Sequence, residues 1–183
     1  ERSLHAQQSE PFFPAGFPQL RARFTFHEIQ PDPDCKLTSG PDSLQIRAAS
    51  LPHPGGCLAY RIEGATVGKA RSFVFATDHE PPASSPNPLT RLAQDTDLLI
   101  SDGQYTAAEY KSRVGWGHGT PELCLREAVA ARARRLLITH FDPTHSDTTL
   151  AGLETEFQKS AQSSAIPVGF ARQGQTIDLD PPR

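Results

Sequence analysis

Residues 97–140 read DLLISDGQYTAAEYKSRVGWGHGTPELCLREAVAARARRLLITH, and this stretch decides the fold class. Asp97-Leu98-Leu99-Ile100-Ser101 is a compact apolar run ending at Asp102, and Leu136-Leu137-Ile138-Thr139 is a second whose end delivers His140. Short apolar runs bounded by turn formers read as buried strands. Between them Thr120-Pro121-Glu122 is a helix start: a capping hydroxyl, a proline at the first helical position where its missing N–H costs nothing, and an acid at the positive end of the helix. The helix is expected to run to about Arg134, with Arg132, Arg134 and Arg135 making a basic last turn.

Upstream the pattern changes. Leu44 to Ser50, Cys57 to Glu63 and Arg71 to Thr77 are strand-like, and the short Gly64–Lys69 connection makes the last two an antiparallel hairpin. The alternating run Leu20 to Phe26 also predicts a strand, ended by Pro31-Asp32-Pro33-Asp34, and Thr38–Asp42 reads as a turn. Asn87 is placed to cap a short helix starting at Pro88 after the proline-rich loop 80–88. Downstream, a helix from about Thr148 to Ser163, capped by Asp147, and a strand near Gln175–Leu179 are expected. Hairpins first and strand–helix–strand units later describe a mixed α/β domain over residues 1–183 rather than a doubly wound one.

Composition sets bounds on function. The net charge is −3 over 183 residues, which disfavours a generic polyanion-binding surface. No apolar run approaches the roughly 18 residues of a membrane span and no signal-peptide pattern opens the chain, so a cytoplasmic protein without membrane contact is expected. Cys35, Cys57 and Cys124 lie far apart with no C-x-x-C pair, and read as reduced thiols. The chain has 17 prolines, 13 glycines and no methionine. It reads as loop-rich and, lacking an initiator residue, as part of something longer.

Asp and His recur at one kind of place. His53 follows one strand within Leu51-Pro52-His53-Pro54-Gly55-Gly56, Asp78 ends the next, Asp102 another, and His140 the last. Such groups can converge on one rim of a sheet, where imidazole nitrogen and carboxylate oxygen hold divalent metals and a carboxylate can bridge two of them.

Four linked segments carry a resemblance: LPHPGGCLAYRIE, FVFATDHE, DTDLLISDGQYTAAEYKSRVGWGHGTPE and RRLLITHFDPTHSD. From about Gln7 to Asp147 the chain resembles the metallo-β-lactamase superfamily, nearest its phosphodiesterase-like branch of tRNA 3′-processing endonucleases and cyclic-nucleotide phosphodiesterases. The resemblance implies an αβ/βα sandwich with mixed sheets and a two-metal hydrolase of phosphodiester bonds, using zinc or manganese. It implies His53, Asp78 and His140 as metal ligands, Asp78 bridging. It also implies His118, in Gly117-His118-Gly119-Thr120, as the group that contacts the phosphate or protonates the leaving oxygen. A position just before a helix N-terminus suits that role, because N–H groups there attract phosphate. Asp102 and Asp142 are expected to support the ligands from behind, Asp142 by accepting the ring N–H of His140.

The family's N-terminal H-x-H-x-D-H motif does not occur; His5 and His27 are isolated. The chain therefore reads as the later and larger part of such a fold, its N-terminal portion missing. A phosphodiester-containing small molecule or nucleotide is the expected partner, with a nucleic acid not indicated by charge. The alternatives are a silent binding or regulatory module, or a fragment completed by another chain, as in a homo-oligomer donating ligands across its interface.

Smaller readings follow. His79 is expected to be solvent-exposed beside the bridging position. Asp142 and His145 read as loop structure. Trp116 reads either as half-buried packing or as a surface for stacking a base. Arg126, Arg132, Arg134 and Arg135 read as a solvated helix face.

Overall fold

A computed structural model describes residues 2–14, 16–24, 26, 37–39, 44–66 and 69–179. His27, Cys35, residues 31–34 and residues 40–42 of the expected turn lie outside the described residues, while Thr38 and Ser39 of that turn stand in the strand Leu37–Ser39 instead.

The strands are β1 (Leu37–Ser39), β2 (Leu44–Leu51), β3 (Cys57–Thr66), β4 (Lys69–Ala76), β5 (Leu98–Asp102), β6 (Leu136–Thr139) and β7 (Val168–Phe170). They form one mixed sheet in the order β1-β2-β3-β4-β5-β6-β7. Pairing is antiparallel from β1 to β4 and parallel from β4 to β7. Two antiparallel reversals restore direction, so β2, β4, β5 and β6 all run the same way. Their C-terminal ends share one rim, where ligands bind in sheets of this kind.

The helices are α1 (Arg2–Gln7), α2 (Pro88–Leu92), α3 (Ala107–Tyr110), α4 (Pro121–Ala130) and α5 (Asp147–Ser160). Asn87 caps α2 as expected, its side chain accepting from Thr90 N while the Thr90 hydroxyl accepts from Asn87 N. Thr120 caps α4 in the same way through Leu123 N. Val74, Ala76, Leu99, Leu136 and Ile138 pack with Leu89, Leu92, Cys124, Ala128 and Phe157 to make the core. The opposite sheet face carries Tyr60 opposite Phe75 and Ile62 opposite Phe73, with Phe75 44% exposed. Arg61, buried on the helix side, donates to Glu63, Ser72 and the carbonyls of Leu92 and Gln94. A buried guanidinium is tolerated because its donors are spent this way.

Several expectations need correction. Leu20–Phe24 and Phe26 form no strand, and the last strand is Val168–Phe170, with residues 175–179 irregular. Among the described residues no strand is paired with the segment 20–26, and periodicity alone does not make a strand. Helix α4 stops at Ala130 rather than Arg134. Arg132 turns left-handed (φ 53°), while Ala133 N bonds Ala128 O and Arg132 N bonds Val129 O, a Schellman closure that satisfies the last carbonyls. The basic residues therefore lie beyond the helix. Arg132 pairs with Asp95 and Arg134 with Asp97, tying the segment to the loop before β5. Helix α5 is capped by Ser146 rather than Asp147. No helix among the described residues is long and apolar enough to cross a membrane.

Candidate metal centre

Parallel registry builds the site. Ala76 pairs with Ser101 across β4 and β5, and Asp102 with Thr139 across β5 and β6. Asp78, Asp102 and His140, one or two residues further along, therefore arrive side by side. Asp78 (φ 53°) and His140 (φ 61°) both adopt left-handed backbone. That conformation is uncommon outside glycine and clusters at functional sites, where it aims a side chain the strand would otherwise direct elsewhere. His118 comes from the loop before α4. Together Asp78, Asp102, His118 and His140 each offer one ligand atom, all within 4.8 Å of one another.

The four fall into two pairs. Asp102 is fully buried and its Oδ2 lies 2.6 Å from His118 Nδ1. Backbone N–H groups of His79 and Gln104 also donate to its carboxylate. His118 is thereby fixed with Nε2 as its remaining ring nitrogen. In the second pair, His140 Nε2 stands 2.9 Å from Asp78 Oδ1, yet that buried oxygen makes no hydrogen bond. Two ligand atoms this close, in a geometry that makes no hydrogen bond, suit convergence on one cation. The rings of His118 and His140 stack at 5.0 Å and 14°.

His53 reaches the same rim from the end of β2. Its ring lies edge-on to that of His118, centroids 5.3 Å apart. Its Nδ1 accepts from Gly55 N at 3.3 Å, which leaves Nε2 as the nitrogen available to a ligand. It adjoins the four-residue group without being part of it. Asp142 Oδ1 accepts from the Thr144 N–H and hydroxyl. Those bonds hold its carboxyl below the usual range.

His79 is the clearest correction. It is fully buried, not exposed, with Nε2 3.1 Å from Glu127 Oε2. Asn87 Nδ2 donates to the other Glu127 oxygen at 2.6 Å, so this pocket joins β4, α2 and α4. The sequence did hold a signal. Glu127 lies at helical spacing with Cys124 and Ala128 on the core face of α4, and a charge there requires a buried partner.

Glu80 was also missed. Its carboxylate accepts from the Tyr110 hydroxyl at 2.6 Å and from the N–H groups of Gly115 and Gly117, clamping the loop that carries His118. Burial raises its pKa, but these donors outweigh it and hold the carboxyl below its usual value. Tyr110 is pushed up to about 12 by burial and by Glu80. Behind the rim, the thiols of Cys57 and Cys124 donate to the carbonyls of Thr77 and Asp102, and burial raises both pKa values. Both are free thiols, as expected. His145 pairs with Glu109 at 3.0 Å, away from the four-residue group. His5 lies on α1 against Phe26.

A family model described as a beta-lactamase superfamily domain matches residues 5–141. Ribonuclease Z of Myxococcus xanthus is 34% identical over 110 residues, which is 60% of this chain and 33% of that protein. The crystal structure of human tRNase Z, short form, aligns with TM-score 0.57 at 21% identity, covering 79% of this chain and 46% of that one. The metallo-beta-lactamase fold protein YhfI from Bacillus subtilis aligns with TM-score 0.57 at 25% identity, covering 79% and 52%. The match thus spans a third of the length of the curated relative and about half of each solved chain.

Proposed function

The chain belongs to the metallo-β-lactamase superfamily, and on that premise we propose that it is the site-bearing part of a metal-dependent hydrolase of phosphodiester bonds. The observation that carries this reading is the convergence of Asp78, Asp102, His118 and His140. The likeness to a ribonuclease Z supports the choice of bond.

In this proposal Asp78 and His140 hold a divalent ion, with His53 Nε2 as the next ligand at the same rim. Zinc fits this nitrogen and oxygen donor set, and so does manganese. Two ions sharing Asp78 is the finer form of the proposal. A bound ion supplies Lewis acidity toward phosphate and water.

The remaining chemistry belongs to the chain. Asp102 holds His118 Nδ1–H and stabilises the ring when it is charged, so Nε2 can give a proton to the leaving oxygen. His118 is read here as an acid, with Asp102 on its Nδ1 and Nε2 left to face the substrate.

The test is elemental analysis of the purified chain together with hydrolysis of bis(p-nitrophenyl) phosphate. Metal should be present, be removed by a chelator with loss of hydrolysis, and be restored by zinc or manganese. Asp78→Ala should lose both. Metal-independent hydrolysis, or metal retained in Asp78→Ala, would overturn the reading.

A further inference from the structure

The loop between α3 and α4 presents an aromatic ring that the core does not use. Trp116 is 61% exposed and Val114 64% exposed. An indole left in water forgoes one of the largest burial gains any side chain offers. Its backbone is nonetheless fixed. Gly115 (φ 87°) and Gly117 (φ 95°) flank it in conformations that side chains rarely adopt. Glu80 accepts the N–H of both glycines, and Trp116 N donates to Arg113 O at 3.1 Å. A rigid backbone carrying an exposed ring loses little entropy when it binds a flat partner.

The loop also abuts the candidate centre. A Cβ on Gly117 would lie 2.5 Å from His53 Cδ2, so this backbone rests directly on the His53 ring. Trp116 is two residues from His118, within about 7.6 Å along the chain. Lys111 and Arg113 stand on the same loop, Arg113 with its guanidinium 4.8 Å from the Tyr105 ring centre, and Tyr105 packs edge-on against His118. In a chain of net charge −3, two cations, Lys111 and Arg113, and an exposed indole share the segment that leads into His118. An aliphatic phosphodiester would use the cations and leave the ring idle. A nucleotide uses both, because every base has a face to stack.

We propose that Trp116 is a stacking platform for a nucleobase adjoining the phosphate at the Asp78–His118–His140 centre. This rests on the phosphodiester reading for where the phosphate lies. Trp116 is the chain's single tryptophan, so its emission reports on this ring alone. Adenosine 5′-monophosphate should quench it saturably, whereas ribose 5-phosphate, the same phosphate without a base, should not. By calorimetry, Trp116→Ala should bind the adenosine nucleotide about 5- to 100-fold more weakly, the range base stacking supplies. Trp116→Phe, which keeps a ring, should stay within a few-fold of the parent. Equal responses to the two phosphates, no saturable quenching, or undiminished nucleotide binding by Trp116→Ala would overturn the proposal. Hydrolysis of bis(p-nitrophenyl) phosphate by the parent chain is read separately. Its absence would defeat the phosphodiester reading, while absent stacking with hydrolysis intact would defeat this one alone.

Discussion

Two histidine–carboxylate pairs meet at one oxygen and have opposite surroundings. Asp102 Oδ2 accepts the backbone N–H of His79 and lies 2.6 Å from the ring of His118. Behind it, His79 and Glu127 are closed off from solvent; in front, the His118 side chain is 15% exposed. The chemical groups are the same, so access separates a brace from a site. The inner pair ties β4 to α4 and fixes Asp102 from behind. The outer pair leaves one ring nitrogen for a substrate. A third pair, His145–Glu109, has its carboxylate 30% exposed and lies apart from both.

The largest expected effect is on the outer pair. His118→Asn should lower kcat for a phosphodiester by about 10²- to 10⁴-fold, the usual worth of a positioned acid or base, while bound metal and melting temperature stay as in the parent. Metal lost together with activity would make His118 a ligand instead.

On the inner pair the signature should invert. Glu127→Ala strands His79 and the Asn87 amide, and should cost about 3–5 kcal/mol in urea unfolding. Glu127→Gln, which can still meet both partners, should cost clearly less. At temperatures where the variants are folded, kcat should change little. A large kcat loss in a fully folded Glu127→Gln would erase the distinction between brace and site.

The smallest effect belongs to the His145–Glu109 pair, whose carboxylate is the most exposed of the three. Burial raises the Glu109 pKa, but the Thr106 N–H and the His145 ring outweigh it and hold the carboxyl below its usual value. The ionised form thus adds stability that is full above the ordinary carboxylate value of about pH 4.3 and is lost as pH falls through the lower native one. Glu109→Gln should cost under about 1 kcal/mol at neutral pH, and its deficit should vanish in acid. A deficit that persists at about pH 3 would place the effect in packing rather than charge.

Much of this was legible in the chain. The apolar runs at 98–102 and 136–139, the caps at Asn87 and Thr120, and the Asp or His closing each strand are local features, and the structure keeps them. Asp78 and His140 were readable as candidates for the same reason, and His118 through the family resemblance of Gly117-His118-Gly119-Thr120. Neither His79 nor Glu80 was, because each is defined by a partner 35 or more residues away. The stop of α4 was hidden too: Arg132 is a good helix former, and only the Schellman closure and its pairing with Asp95 end the helix there.

The sequence by itself determined which residues stand at strand ends, since periodicity and capping depend on neighbours along the chain. Tertiary structure decided the rest. Only the change from antiparallel to parallel pairing at β4 aligns the ends of β2, β4, β5 and β6, and only packing of α4 against the sheet encloses His79 while leaving His118 at the surface. The physical reason is that burial and shared registry arise between segments far apart in the chain, where no local pattern records them.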